Sequence, residues 1–375
     1  MQALSENSPD IISRISAEEV VAYVNPAIEE FCGAKPSYFI NKNLDNGIVE
    51  VPIAQSWKRL VREVKITKTK ICKEESIVLN NIEKILQINA IPELEDEVLK
   101  SVLIISHDIT EIKRIESEIK EKNKKISESI NYSKRIQGSI IPDNALIQKF
   151  NKNAFILFKP KDVVSGDFPW YYKNDSISFI AAADCTGHGV PGAMLSIVGS
   201  FILNDIVRNN ENKSPAELLD MLDERFNKSL NTEQNQAKIK DGMDIGLCKI
   251  DYKNMTLEYA GAHRPLLYMD KQGLKEIKGD KWAIGGGTYK NQTNFNNHQI
   301  KIEKGDAFYL FSDGFPDQFG GPENKKFGIQ RIRDIIEQQN DNDPFEIHKQ
   351  FMNKFEEWKK FEKQMDDVLL IGFKI

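Results

Sequence analysis

Cysteine is scarce in this chain: four residues in 375, at Cys32, Cys72, Cys185 and Cys248, far apart and with no CxxC pair. That spacing excludes a disulfide framework and a thiolate zinc site, and it makes the cytoplasm the expected compartment. An excess of positive charge is also missing. Lys and Arg total 51 against 56 Asp and Glu, a net charge of -5, so a phosphate backbone would find no general attraction and nucleic acid is not an expected partner. Long hydrophobic runs are absent too. The longest nearly uncharged stretch, VPGAMLSIVGSFILN (Val190 to Asn204), is too short and too rich in small residues to span a bilayer and reads as a core helix. No signal peptide is expected. The opening MQALSENSPD lies so close to structured sequence that the chain could be the soluble part of a longer, membrane-tethered protein.

What is present is ample material for a core: 40% hydrophobic and 29% charged residues over a length that accommodates two or three domains. The first region, residues 1–110, mixes strands with short helices. DIISRI and VVAYVN read as a hairpin, PAIEEFCGA as a short helix, and KILQINAIP and SVLIISHDIT as later strands rich in Ile, Leu and Val. Residues 111–141 are dominated by Lys, Glu, Ile and Ser, and one heptad series runs through Ile112, Ile119, Ile126, Ser133 and Ile140. A second places Ile109 and Ile130 in the other core position, with Glu116, Asn123 and Gln137 as polar members. A period of seven predicts a coiled coil and hence a parallel homodimer; the alternative is a lone surface helix with a charged face. Beyond Pro142, which ends the helix, residues 142–375 alternate strands with helices. Strands outnumber helices and several are joined by hairpin-like turns, which favours an antiparallel α+β sandwich over a parallel doubly wound sheet.

Four aspartates stand at strand edges beside Gly or another carboxylate: Asp167 in SGDF, Asp184 in AAADCTG, Asp313 in FSDGF and Asp366 in MDDVLL. An isolated SDG or DDV is usually a turn. Next to buried strands, however, such carboxylates are costly to desolvate unless something positive compensates, and no clustered Arg or Lys accompanies them in the sequence. A divalent cation is the obvious compensation, and oxygen-only ligands select Mg²⁺ or Mn²⁺ over Zn²⁺. Four converging carboxylates suit a two-ion centre, with ions roughly 4 Å apart, for hydrolysis of a phosphate ester. No Ser-His or Cys-His nucleophile is then required. Asp241 and Asp244 in KDGMDIG read as a turn and strand rather than as further ligands.

Two resemblances fit these readings. Residues 1–110 resemble a PAS sensor domain through SPDIISRI, YVNPAIEEFCGAKPSYFINKNL and the exit SHDITEIK, whereas VEVPIAQSWKRLVREVKITKTK fits less clearly. The segment from about Ile136 to Ile375 resembles SpoIIE-type metal-dependent protein phosphatases of the protein phosphatase 2C fold. The matching residues are RIQGSIIP, FKPKDVVSGDF, ADCTGHGVPGAM, DGMDIGLCKID, YAGAHRP, YLFSDGFPDQFGG and QMDDVLLIGFKI. That resemblance implies a pair of antiparallel sheets flanked by helices, Mg²⁺ or Mn²⁺ between them, and a phosphoserine or phosphothreonine protein as substrate. Within it, Asp184 matches a metal-bridging aspartate, with the Cys185 carbonyl beside it in place of the usual glycine carbonyl. Asp167 matches an acid on the second metal, Asp313 and Asp366 match ligands of the first, and Asp367 is a less certain participant.

Gly187 and Gly189 let the backbone approach the site. His188 is three residues beyond the position of a proposed general acid in the eukaryotic branch and reads mainly as a loop residue. The phosphate-binding arginine of that branch has no clear counterpart, and Pro169 puts the strand after Asp167 in question. The resulting expectation is a PAS–coiled coil–phosphatase protein acting on a regulatory phosphoprotein, such as an anti-sigma factor antagonist. Its rival is a catalytically silent partner-binding module.

Overall fold

The computed structural model describes residues 5–45, 48, 51–79, 81–142, 147, 151–230, 241–286, 292–338 and 344–375. The chain divides into two compact units, Met1–Lys125 and Ile126–Ile375.

In the first unit, strands β1 (Ile11–Ser16) and β2 (Val21–Val24) form the expected hairpin, followed by short helices α1 (Ala27–Cys32) and α2 (Pro36–Phe39), helix α3 (Pro52–Thr67), and strands β3 (Ile71–Leu79), β4 (Ile82–Glu95) and β5 (Val98–Asp108). All five strands pair antiparallel in the order β2-β1-β5-β4-β3. Period-two patterning selects the inner face: Ile11 and Ile15 on β1, Leu86, Ile88 and Ala90 on β4, and Val102 and Ile104 on β5 are buried. Helix α3 contributes Ile53, Trp57, Leu60, Val61 and Val64 to the same core. This helix accounts for the middle stretch that fitted the PAS pattern least. Its Pro52 stands in the first turn, where the missing N–H is harmless.

Helix α4 (Thr110–Ile140) continues from β5, and the division between the units falls within it. Along it Ile112, Ile119 and Ile126 are all about half exposed, at 50, 53 and 57%. Gln137 departs from its expected place as a polar coiled-coil position. It is 6% exposed and turned into the second unit, where its Nε2 donates to the Ser165 carbonyl (2.6 Å) and to Ser196 Oγ (2.9 Å) and its Oε1 accepts from the Ser165 N–H (3.2 Å).

The second unit is a four-layer sandwich. Its strands are β6 (Ala154–Lys159), β7 (Phe168–Lys173), β8 (Ile177–Cys185), β9 (Gly242–Asp251), β10 (Thr256–Ala262), β11 (Leu266–Asp270), β12 (Gly273–Ile277), β13 (Ile284–Gly285), β14 (His298–Lys301), β15 (Ala307–Phe311), β16 (Phe319–Gly320), β17 (Lys325–Lys326) and β18 (Val368–Lys374). One antiparallel sheet runs β14-β10-β9-β8-β7 with β13 on β9, the other β12-β11-β15-β18-β6. Helices α5 (Gly189–Asn209) and α6 (Pro215–Leu230) follow β8; α7 (Gly314–Asp317), α8 (Ile329–Glu337) and α9 (Pro344–Lys359) lie between β15 and β18.

Strands covered on both faces read as continuous hydrophobic runs, and here consecutive residues divide between layers. On β15, Phe308 and Leu310 join Ile180, Ile250 and Ile371 between the sheets, while Tyr309 and Phe311 meet Phe351 and Phe355 of α9. On β8, Ile180 and Ala182 face the other sheet, while Phe179, Ala181 and Ala183 pack with Leu203 of α5 and Leu222 and Phe226 of α6. Helix α5 is long and apolar enough by length and composition to cross a membrane, and half of that window is buried inside the unit. Pro169 is accommodated because β7 is a sheet edge, where the absent N–H breaks no ladder bond.

Candidate metal centre

Strand register gathers the acids at one end of both sheets. In the β7–β8 pair Phe168 stands opposite Ala183, which sets Asp167, one residue earlier, beside Asp184; in the β8–β9 pair Asp184 stands opposite Asp244. In the second sheet Phe311 pairs with Leu370, so Asp313 and Asp366, just outside these strands, leave from the same end. The loop before β7 is pressed close. A Cβ at Gly166 would lie 2.5 Å from the Gly187 carbonyl oxygen, and one at Gly192 only 2.1 Å from it, so neither position admits a side chain. Gly187 and Gly189 adopt φ of 82° and 67°, the left-handed turn that carries the chain from β8 into α5.

Asp167 is 2% exposed, and its Oδ2, like that of Asp184, is buried without a hydrogen-bond partner. Burial, together with the neighbouring charge of Asp184, holds the Asp167 carboxyl well above the usual carboxylate range; Ser312 partly offsets this. Asp184 is pushed up to about 7, chiefly by burial and by the charges of Asp313 and Asp244, against the opposing pull of Arg264. Such orphaned, mutually repelling oxygens are what a divalent cation would satisfy, so the donor set fits a hard ion. Burial and the surrounding acids raise the Cys185 thiol far above its ordinary value. A hard ion prefers oxygen, which makes the backbone carbonyl the donor this residue can offer it.

Asp367 is a different kind of acid. It is 2% exposed, and its two oxygens accept from the Lys161 N–H and the Gly166 N–H, both at 2.7 Å. It fastens the loop that carries Asp167. Asp366 is exposed, and its Oδ1 accepts from the Asp367 N–H.

The fold also supplies what the sequence lacked. Arg264, from the β10–β11 loop, sends Nη2 to Asp244 Oδ2 (2.5 Å) and Asp313 Oδ2 (2.9 Å) and lies 3.4 Å from Asp184 Oδ2. The expectation that no basic residue accompanies the acids is therefore corrected: antiparallel pairing of β9 with β10 returns this loop to the acidic end. Among the described residues, no group of three or more His, Cys, Asp or Glu side chains stands ready to hold an ion as arranged, and the guanidinium lies among three of the acids. His263, held at φ 56°, places Nδ1 2.9 Å from Asp244 Oδ1. His188 places Nδ1 2.7 Å from Asp162 Oδ2 at the start of α5. The sequence signal for His263 and Arg264 was YAGAHRP, which matched the resemblance without suggesting a role.

A family model described as Stage II sporulation protein E (SpoIIE) matches residues 175–375, and one described as PAS fold matches residues 5–114. The solved SiaA-PP2C domain of Pseudomonas aeruginosa is 31% identical with a TM-score of 0.61, over 68% of this chain and 98% of that one. The PP2C phosphatase domain and a fragment of the regulatory domain of SpoIIE from Bacillus subtilis align at 13% identity and a TM-score of 0.49, over 86% of this chain and 88% of that one. RsbX in complex with magnesium aligns at 17% identity and a TM-score of 0.41, over 59% of this chain and 94% of that one. Comparison with curated proteins finds no match. With its sandwich, its acid-lined sheet ends and these matches, the chain belongs to the SpoIIE family of PP2C-type serine/threonine phosphatases, joined to an N-terminal PAS fold.

Proposed function

We propose that this chain hydrolyses phosphoserine or phosphothreonine on a regulatory protein, of the anti-sigma factor antagonist kind, using Mg²⁺ or Mn²⁺ held by Asp167, Asp184, the Cys185 carbonyl, Asp313 and Asp366. The observation carrying this reading is the pair of buried oxygens on Asp167 and Asp184 that make no hydrogen bond at the convergent sheet ends. A pair of ions bound there would orient the phosphoryl oxygens and activate a water for in-line attack. The chain's own contribution is positional. Asp367 fixes the Asp167 loop from one side through the Lys161 and Gly166 N–H groups, and Gln137 grips Ser165 from the other. His188 and His263, each oriented by a carboxylate, are the titratable groups available to protonate a leaving alkoxide; His188 serves chiefly as the first residue of its turn.

Regulation by the PAS-like domain (residues 1–110) would reach the phosphatase domain (residues 142–375) through the helical linker (residues 111–141). The exposed series Ile112, Ile119 and Ile126 supports a parallel coiled-coil homodimer. The end of that helix meets the Asp167 loop through Gln137, so a change in helix phase has a direct route to the acids. All four cysteines are free thiols, in keeping with a cytoplasmic setting.

The test is Mn²⁺-dependent hydrolysis of an aryl phosphate by the full chain, with the chelated protein as reference. Turnover that appears with Mn²⁺ or Mg²⁺ and vanishes with chelator supports an enzyme. Undiminished binding of a phosphoprotein partner without turnover would favour the silent module.

A further inference from the structure

Arg264 is 14% exposed and reaches carboxylates from three different strand ends: Asp184 at the end of β8, Asp244 on β9 and Asp313 after β15. Its Nε is buried and makes no hydrogen bond. All three contacts are made through Nη2, and the guanidinium, always protonated, carries a single positive charge. It therefore screens the acids from one another without neutralising them. The loop holding it is fixed from below: the His263 N–H donates to the Asp280 carbonyl, the Arg264 N–H to the Ala262 carbonyl, and the buried Tyr259 hydroxyl to the Arg264 carbonyl. The backbone is thus anchored, while the side chain ends in a charge that the acids would not need once divalent cations sat among them.

We propose that Arg264 is the resident counter-ion of the metal-free centre: it holds Asp184, Asp244 and Asp313 together when no divalent ion is bound, and must release Asp184 and Asp313 for the ions to enter. The inference rests on reading those acids as metal ligands. Ion binding and the arginine contacts then compete, so Arg264 lowers metal affinity and preserves the cluster in the unloaded protein. The β10–β11 loop becomes a device that keeps the phosphatase idle at low cation concentration.

Calorimetric titration of Mn²⁺ into the full-length protein, with thermal unfolding in chelator and in saturating Mn²⁺, tests this. Arg264→Gln should bind Mn²⁺ about tenfold or more tightly, since displacing charge-assisted hydrogen bonds no longer opposes entry. Its chelated form should melt below the wild type, so the Mn²⁺-induced rise in midpoint should widen. Arg264→Lys, which keeps the charge on a compact, strongly hydrated ammonium, should fall between the two. Unchanged or weaker Mn²⁺ affinity in both variants overturns the proposal. Asp184→Asn separates this outcome from failure of the site itself. If that variant binds Mn²⁺ as the wild type does, the ligand assignment is wrong, and the inference falls with it. If it abolishes binding while the Arg264 variants change nothing, only the inference falls.

Discussion

The two ends of the phosphatase sandwich carry the same residue type in opposite circumstances. At the far end, Asp251 accepts the N–H groups of Lys253 and Asn254, both at 2.9 Å, Asp270 accepts from Gln272 at 2.8 Å, and Asp306 accepts from Glu303 at 2.8 Å. Backbone donors hold the Asp251 carboxyl below its ordinary range, and the Lys275 ammonium does the same for Asp270. At the near end burial raises both Asp167 and Asp184, helped at Asp167 by the charge of Asp184 and at Asp184 by the charges of Asp313 and Asp244. Strand register separates the two sets: on β8 and β9, Asp184 pairs with Asp244 while Asp251 pairs with Ile177. The far-end acids close turns and have their partners built in. At the near end three acids share the single guanidinium of Arg264, and one oxygen each of Asp167 and Asp184 is buried without a hydrogen bond.

The largest effect is expected from neutralising one acid at the near end. Asp184→Asn should lower Mn²⁺-dependent turnover by orders of magnitude and leave the circular dichroism spectrum unchanged, because the near-isosteric amide keeps the packing while it removes the carboxylate that the proposed function assigns to the ions. Turnover close to wild type in saturating Mn²⁺ would remove the near end's special status.

A smaller effect is expected one layer back. Gln137→Ala leaves the Ser165 N–H buried without its partner, a loss of about 1–3 kcal/mol, while the Ser165 carbonyl keeps the Ser196 hydroxyl. The Asp167 loop should then sit less firmly, with turnover reduced about tenfold or more, since small misplacements at a reacting centre are expensive. Full activity in this variant would mean that the helix end is only a support.

How far this was readable beforehand differs residue by residue. Asp167, Asp184, Asp313 and Asp366 were legible because each ends a strong strand beside Gly or a second acid, and because the order of the motifs matched a family. The layering was legible as well, since strands buried on both faces leave uninterrupted hydrophobic runs. Arg264 was not: AHRP has no period, and only the hairpin returning from β9 to β10 carries it among acids far away in sequence. Gln137 shares its heptad phase with Ile109 and Ile130, so a seven-residue period could not distinguish a coiled-coil position from a residue buried against its own domain. Asp367 was undervalued because its neighbour has the same chemistry, and only the Lys161 and Gly166 amides separate a loop fastener from a prospective ligand.

His188 offers a gentler test at the near end. With Nδ1 on Asp162 and the ring nearly half exposed, His188→Ala should keep hydrolysis of an aryl phosphate within about tenfold, below the 10²- to 10⁴-fold typical of general acid catalysis. A much larger loss, confined to phosphoprotein substrate with its poor leaving group, would instead make His188 the proton donor.

The smallest effect belongs to the far end. Asp251→Ala should cost about 1 kcal/mol of stability through its lost turn hydrogen bonds, seen as a lower urea midpoint at unchanged slope, with turnover and Mn²⁺ affinity unaffected. A drop in metal affinity would show that the two ends are not independent.

Whether the near-end acids, and not their far-end counterparts, bind the catalytic cations is tested by anomalous scattering from Mn²⁺-soaked crystals. Manganese peaks should lie among Asp167, Asp184, Asp313 and Asp366, with the Arg264 guanidinium withdrawn from Asp184 and Asp313. Crystals with full Mn²⁺ exposure and no peak there, or with manganese only at the Asp251, Asp270 and Asp306 end, would contradict it.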